Sequence, residues 1–390
     1  MKTTRAHINP EVLSWARDRA FVDVDVAAKK AGVKVEAYES WETGEAMPTM
    51  RQLEKLARAF LVPLGSFFMS ERPDLADPIP EMRRLPGANS RPDPELVRQI
   101  RIAASRRQLA LDLIDDLEEE VPPFPYTSSL DESPSNVAAR MRMILGVALE
   151  TQLGWTDEWE ALKTWRTATE RLSVLVFQVG LPIELMRGFA LSERPLPVIG
   201  INSKDSPYGR IFTLIHELTH LWLGHSTLED SGLSVFSESS EVEQFCNRVA
   251  AEVLLPRELI YNDPDVVTLG ADATWSMPAL TKVSRRFKVS DAVLLKRLDR
   301  LGRVASGSYA SLMRSISKRR YEPPPREGGS AYNNTIKQVG EPLLRLAFAS
   351  AYQDRISTHR LSQIVGLNAK YLGTLEKHVH GKNLMFEANA

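Results

Sequence analysis

The stretch RIFTLIHELTHLWLGH (210–225) constrains this chain more than any other. Ile211, Leu214, Ile215, Leu218 and Leu221 recur at helical spacing, so one side of the helix they form must be buried. Two imidazoles and a carboxylate lie in the same run, and such groups are stable inside a protein only with partners. His216 and His220 stand one helical turn apart on one face, so both can reach a single ion. Glu217 sits beside the first of them and can hold a water on the metal without ligating it. Zinc lowers the pKa of such a water to about 7, so a carboxylate can take its proton. The His-Glu-x-x-His pattern is that of a zinc-dependent peptidase, with Zn2+ as cofactor and Glu217 as the catalytic base.

A catalytic zinc takes three protein ligands and keeps one open position. The following helix, SSEVEQFCNRVAAEVLLP (239–256), places Glu243 and Asn247 on one face. Glu243 is either the third ligand, a gluzincin-like arrangement, or a solvated acid at a helix start. Asn247 is a candidate to hydrogen-bond a histidine ligand from outside the metal shell. A metzincin would need glycine and histidine where the chain has Leu223 and Ser226, which excludes that class. His225 reads as a helix-end residue or an outer donor to the site. Zinc peptidases also pair an edge strand with the substrate backbone, and the run 186–202 is the candidate for it.

The N-terminal 70 residues read as short helices. One is capped by Asn9-Pro10, a second covers Val24–Ala31 and stops at Gly32, and a third covers Val35–Glu42 and stops at Gly44. A fourth follows Pro48-Thr49, with Leu53, Leu56, Ala57 and Phe60 at helical spacing. Ala27 and Ala28 are small enough for a tight helix-turn-helix corner, and Val33, Tyr38 and Trp41 would face the core. This spacing resembles the XRE (lambda-repressor-like) DNA-binding family, in which a recognition helix enters the major groove. Lys34 and Tyr38, near the start of that helix, are the candidate DNA contacts. The charge is against a simple DNA binder: ten Lys/Arg meet nine Asp/Glu over 1–70, and Glu36, Glu39 and Glu42 lie on the recognition helix itself. Docking to a protein is the competing use.

Beyond the module the chain reads as α+β and mostly helical. A linker and connecting helix cover 71–130, starting in a proline-rich run. A zincin-like metallopeptidase domain with a small sheet spans 131–268, its strands expected at 172–180, 188–192 and 196–202. A basic helical subdomain covers 269–320, with helix-turn-helix-like spacing around Val289-Ser290-Asp291. Its segment 281–320 holds twelve Lys/Arg against two Asp, and could touch DNA or dock on the acidic face of the same molecule. A linker (321–334) and a helical C-terminal domain (335–390) complete the chain. Gly366-Leu367-Asn368 there has a helix-turn-helix flavour, with plain helical packing as the competing reading.

Three features converge: the XRE-like module, HELTHLWLGH, and E-x-x-x-N followed by RVAAEVLLP. Together they resemble the ImmA/IrrE family of metallo-endopeptidases, in the architecture with an XRE-type helix-turn-helix in front. The resemblance implies Glu243 as third ligand. It also implies a zinc peptidase that cleaves a DNA-binding repressor or antitoxin and so relieves repression of stress, mobile-element or defence genes. Two residues depart from the family pattern, Cys246 where alanine is usual and Val249 where phenylalanine is common. Both are packing changes that remove no catalytic group. Acidic residues around the metal helices (Glu229, Asp230, Glu238, Glu241, Glu252) would suit a basic repressor. Two other readings compete: a transcription regulator whose peptidase-like domain is a non-cleaving sensor, and a toxin–antitoxin component.

Composition excludes little else. One cysteine rules out an internal disulfide framework, and net charge −1 does not mark the whole chain as a polyanion binder. The most apolar run, AFLVPLGSFF, is broken by Pro63, and the N-terminus lacks an apolar signal core. A soluble, cytoplasmic chain without a membrane partner is expected, with the oligomeric state open and a dimer among the possibilities.

Overall fold

A computed structural model describes residues 5–74, 93–225, 227–230, 241–319 and 331–380. Most of the proline-rich run, most of the 321–334 linker, Ser226, Glu238 and the side chains of Glu229 and Asp230 lie outside them. The chain divides into two compact units, Met1–Ser105 and Arg106–Ala390. The division falls inside one helix, α5 (Pro94–Asp116).

In the first unit, α1 (Pro10–Arg19) starts at Asn9, whose side chain accepts from Glu11 N while its amide donates to the carbonyls of Met69 and Ser70. Helices α2 (Val24–Ala31) and α3 (Val35–Glu42) meet at Gly32, which adopts φ 79°, a left-handed conformation that a Cβ disfavours. Thr49 and Gln52 form a reciprocal capping box at the start of α4 (Met50–Phe60). Leu13, Ala16, Ala27, Ala31, Tyr38, Trp41, Leu53 and Phe60 form the core. Arg17 and Glu42 lock α1 to α3 through a two-pronged ion pair of 2.8 and 3.1 Å.

The second unit begins, after α5, with α6 (Pro134–Leu145), α7 (Leu149–Gly154) and α8 (Glu158–Glu170). Strands β1 (Leu175–Val179), β2 (Met186–Leu191) and β3 (Val198–Asn202) lead to α9 (Pro207–Leu223), then β4 (Thr227–Asp230) and α10 (Glu241–Leu254). Two short helices, α11 (Arg257–Tyr261) and α12 (Pro264–Leu269), precede α13 (Met277–Phe287), α14 (Asp291–Arg300) and α15 (Ser308–Ser317). The rest is α16 (Ala331–Val339), α17 (Glu341–Tyr352), α18 (Thr358–Val365) and α19 (Leu372–His380). The segments read as 269–320 and 335–390 therefore lie within this unit. No helix among the described residues is long and apolar enough to cross a membrane.

The sheet order is β1-β3-β2-β4, with β1 parallel to β3 and the other pairs antiparallel. The run 186–202 is thus interior: β2 and β3 each have neighbours on both sides, and their backbone groups are used in the ladder. Among the described residues the edges are β1 and β4. Strand β4, too short and polar to read in sequence, follows α9 directly. Helix α9 packs on β2, β3, α8 and α10, and every residue from Arg210 to Trp222 is buried. Pro207 and a Ser206 side-chain cap start it, and left-handed Gly224 ends it.

At the end of α8, Glu170 is largely buried in a charge cluster. Arg166 lies 3.6 Å from both Glu170 and Glu341, and Arg345 lies 3.3 Å from Glu341. Burial pushes the Glu170 carboxyl up to about 7, Glu341 adds to this, and Arg166 and Arg345 oppose it. A carboxyl raised in the folded state holds its proton there after the unfolded chain has lost it. Stability therefore falls as pH rises from the ordinary carboxylate range to about 7, and the loss is complete above that. Glu170→Gln should gain on wild type across that window by about 2–3 kcal/mol, read from urea melts at acidic and alkaline pH. An offset that does not change with pH would contradict this.

Candidate metal centre

The centre lies midway along α9, where the apolar stripe fixes the rotation of the helix. With Ile211, Leu214, Ile215 and Leu218 packed in the core, His216 and His220 are carried onto the face that meets α10. Their Nε2 atoms lie 3.0 Å apart. Glu243, in the first turn of α10, reaches both: Oε2 is 3.2 Å from His216 Nε2 and Oε1 is 3.2 Å from His220 Nε2. His216 and His220 are each 1% exposed, whereas the Glu243 side chain retains 30%, so the cluster meets solvent on the α10 side.

The three donor atoms fit a zinc ion. Two nitrogens and a carboxylate oxygen are the donor types of a catalytic zinc site, and tetrahedral bonds of about 2.0–2.1 Å place donors roughly 3.3 Å apart. Without a cation, two buried imidazole nitrogens 3.0 Å apart can share only one proton. Among the described residues, His220 Nδ1 is buried without a hydrogen-bond partner. Burial holds His220 down to about 4, against the hydrogen bond of Glu243 and with His216 and His225 adding to the fall. The ring is therefore neutral at physiological pH, the form that binds metal. Burial also raises the Glu243 carboxyl, but hydrogen bonds and charge from the two histidines outweigh it and hold it well below the usual range.

Glu217 is fully buried against β2. The strand comes this close because residue 188 is glycine. A Cβ there would collide with the Thr213 methyl and lie 3.0 Å from Glu217 Oε1. A glycine inside a strand signals such an approach, and this is where sequence could have marked Gly188 as part of the site. Cys246, one turn from Glu243, is fully buried, and burial raises its thiol well above the ordinary value. It packs as a small apolar residue.

The remaining candidates separate. Asn247 is buried beside Phe212, Ala251 and Arg297, and among the described residues no hydrogen bond joins it to a histidine. His225 is exposed just beyond Gly224, its amide closing the helix on the His220 carbonyl at 3.0 Å. Lys34 is exposed at the N-cap of α3. Tyr38 is 0% exposed and packs on Trp41 with ring centres 5.8 Å apart, so it is a core residue and not a DNA contact. The helical period that set it facing inward was the sounder guide. Glu252 does not present a free acidic face either, because Arg297 of the basic segment pairs with it at 2.9 Å. Arg286 likewise pairs with Asp263 and Asp265. Part of the basic run is thus consumed inside its own unit.

Against known families, residues 169–299 match the IrrE N-terminal-like domain of the peptidase M78 family, and residues 25–67 match a helix-turn-helix domain. The first match runs from the end of α8 to α14 and contains His216, Glu217, His220 and Glu243. The second spans α2, α3 and α4. Their order agrees with that of ImmA/IrrE proteins bearing an N-terminal helix-turn-helix. A search of the curated proteins finds no match. Gly188→Ala should cost about 1–3 kcal/mol of stability through overpacking and displace Glu217, with zinc affinity little changed. Chemical denaturation and zinc titration check this, and a variant as stable as wild type would contradict the packing.

Proposed function

We propose that the chain is a zinc-dependent endopeptidase that regulates transcription by cleaving a DNA-binding repressor or antitoxin. The observation that carries this reading is the convergence of His216, His220 and Glu243 on one point, with Glu217 buried alongside, in a segment similar to a peptidase domain. Zinc held by those three side chains would supply Lewis acidity toward the scissile carbonyl.

The chain's own residues would do the rest. Glu217, fixed between α9 and Gly188, takes a proton from the attacking water and delivers it to the leaving amide nitrogen. Its burial keeps bulk water from competing for that carboxylate. Substrate enters on the side where Glu243 is exposed. Among the described residues, the outer edge of β4 offers backbone groups that an extended peptide could pair with. A helix-turn-helix in the same chain supports a substrate or partner drawn from transcription control. His225, at the mouth of α9, is a candidate outer donor.

The decisive comparison uses zinc-loaded protein and a repressor encoded beside it. Glu217→Gln should lower cleavage by about 10²–10⁴-fold while zinc content is unchanged. Cutting at the wild-type rate by the Gln variant would remove Glu217 from the mechanism. Tight DNA binding by a wild type that cuts no neighbouring repressor would favour the non-cleaving sensor.

A further inference from the structure

We propose that α17–α19 form a second helix-turn-helix, and that this copy, rather than the N-terminal one, presents a surface built to read duplex DNA. A constant shift in numbering lays the C-terminal helices over the N-terminal ones. Asp23, the N-cap of α2, falls on Ser357, the N-cap of α18, and both helices are eight residues long. Gly32 at φ 79° falls on Gly366 at φ 73°. Lys34, the N-cap of α3, falls on Asn368, whose side chain accepts from Lys370 N at the start of a short 3-10 turn that runs into α19.

The buried positions follow the same shift. Ala27 and Ala31 fall on Leu361 and Val365, and Tyr38 and Trp41 fall on Leu372 and Leu375, all of them buried. In the preceding helices Leu13 and Ala16 fall on Ala347 and Ser350, also buried. Such agreement in caps, corner and core describes one tri-helical frame used twice, and the second and third helices of the first copy, α2 and α3, fall in the segment matched to a helix-turn-helix domain.

The two copies differ where a recognition helix touches DNA. Glu36 and Glu39 of the first copy become Lys370 and Gly373, and Thr43 becomes Lys377. Lys370, Thr374 and Lys377 are exposed on one face, opposite the buried Leu372, Leu375 and Val379. No atom lies within 4 Å of where a Gly373 Cβ would stand, so the face is open among the described residues. Glu376, the acid between Thr374 and Lys377 in sequence, is held by the Tyr352 hydroxyl. Exposed His359 and Arg360, at the start of α18, occupy the place from which a helix-turn-helix grips the phosphate backbone. The α13–α14 pair has similar spacing, but α14 buries Val293, Leu294, Leu295 and Arg297 in the unit's core, so its helix is not open in this way.

The test uses the full chain and a labelled random-sequence duplex of about 30 base pairs, followed by fluorescence anisotropy at low and moderate salt. Lys370→Glu with Lys377→Glu should weaken binding at least about tenfold, and shallow the salt dependence by about two phosphate contacts. Lys34→Glu should stay within about twofold of wild type, because the first copy is not the reader. Thr374→Arg, on the same face, should tighten binding by about threefold or more, a gain that no folding defect can mimic. Wild type that fails to bind the duplex overturns the proposal. So does a loss produced by Lys34→Glu and not by the C-terminal pair, or a Thr374→Arg variant that binds no better.

Discussion

Placing two imidazoles and a carboxylate in the middle of a helix that is buried on every side costs free energy unless each group finds a partner. In α9 the partner is supplied from outside the helix. Glu243 brings both of its oxygens to the two Nε2 atoms, and α10 must therefore run close beside α9. Much of the surrounding architecture follows from that requirement. Helix α6 packs on the other flank of α10, Arg297 ties α14 to Glu252, and Gly188 lets β2 close over Glu217. Where several polar groups converge with little access to water, each depends on the others, so removing one strands the rest.

Much of α9 was legible in the sequence. The apolar stripe that sets its buried side and the one-turn spacing of His216 and His220 depend on local spacing, which is legible in one dimension. The N-terminal helices were legible for the same reason, since Gly32 and the Thr49 capping box mark their ends. Tyr38 shows how a local rule can be overridden by another. Its position near the start of α3 suggested a contact with DNA, while its period placed it in the core, and the core prevailed.

What was not legible depends on contacts distant in sequence. The sheet order put 186–202 inside the sheet because β4, four residues of weak strand character, covers β2 on its far side. Asn247 shares a face with Glu243, and the neighbours it meets there, Phe212 of α9 and Arg297 of α14, are brought to it by contacts distant in sequence. The excess of Lys/Arg over 281–320 allowed either contact with DNA or docking on acids of the same molecule, and Arg286 and Arg297 pair with Asp263, Asp265 and Glu252, as in the second of these. Charge counted along a chain does not distinguish a free cation from a paired one, whereas exposure and partners do. The same distinction separates the acidic recognition helix of the first helix-turn-helix from the basic, open one at the C-terminal end.

The account depends above all on the identity of the metal ligands. X-ray absorption at the zinc edge of the zinc-loaded full chain tests them directly. The account predicts one zinc per chain with a nitrogen and oxygen shell at about 2.0–2.1 Å, two imidazoles among the scatterers, and no sulfur. A sulfur shell near 2.3 Å, which only Cys246 or a methionine could supply, or fewer than two imidazoles, would contradict it.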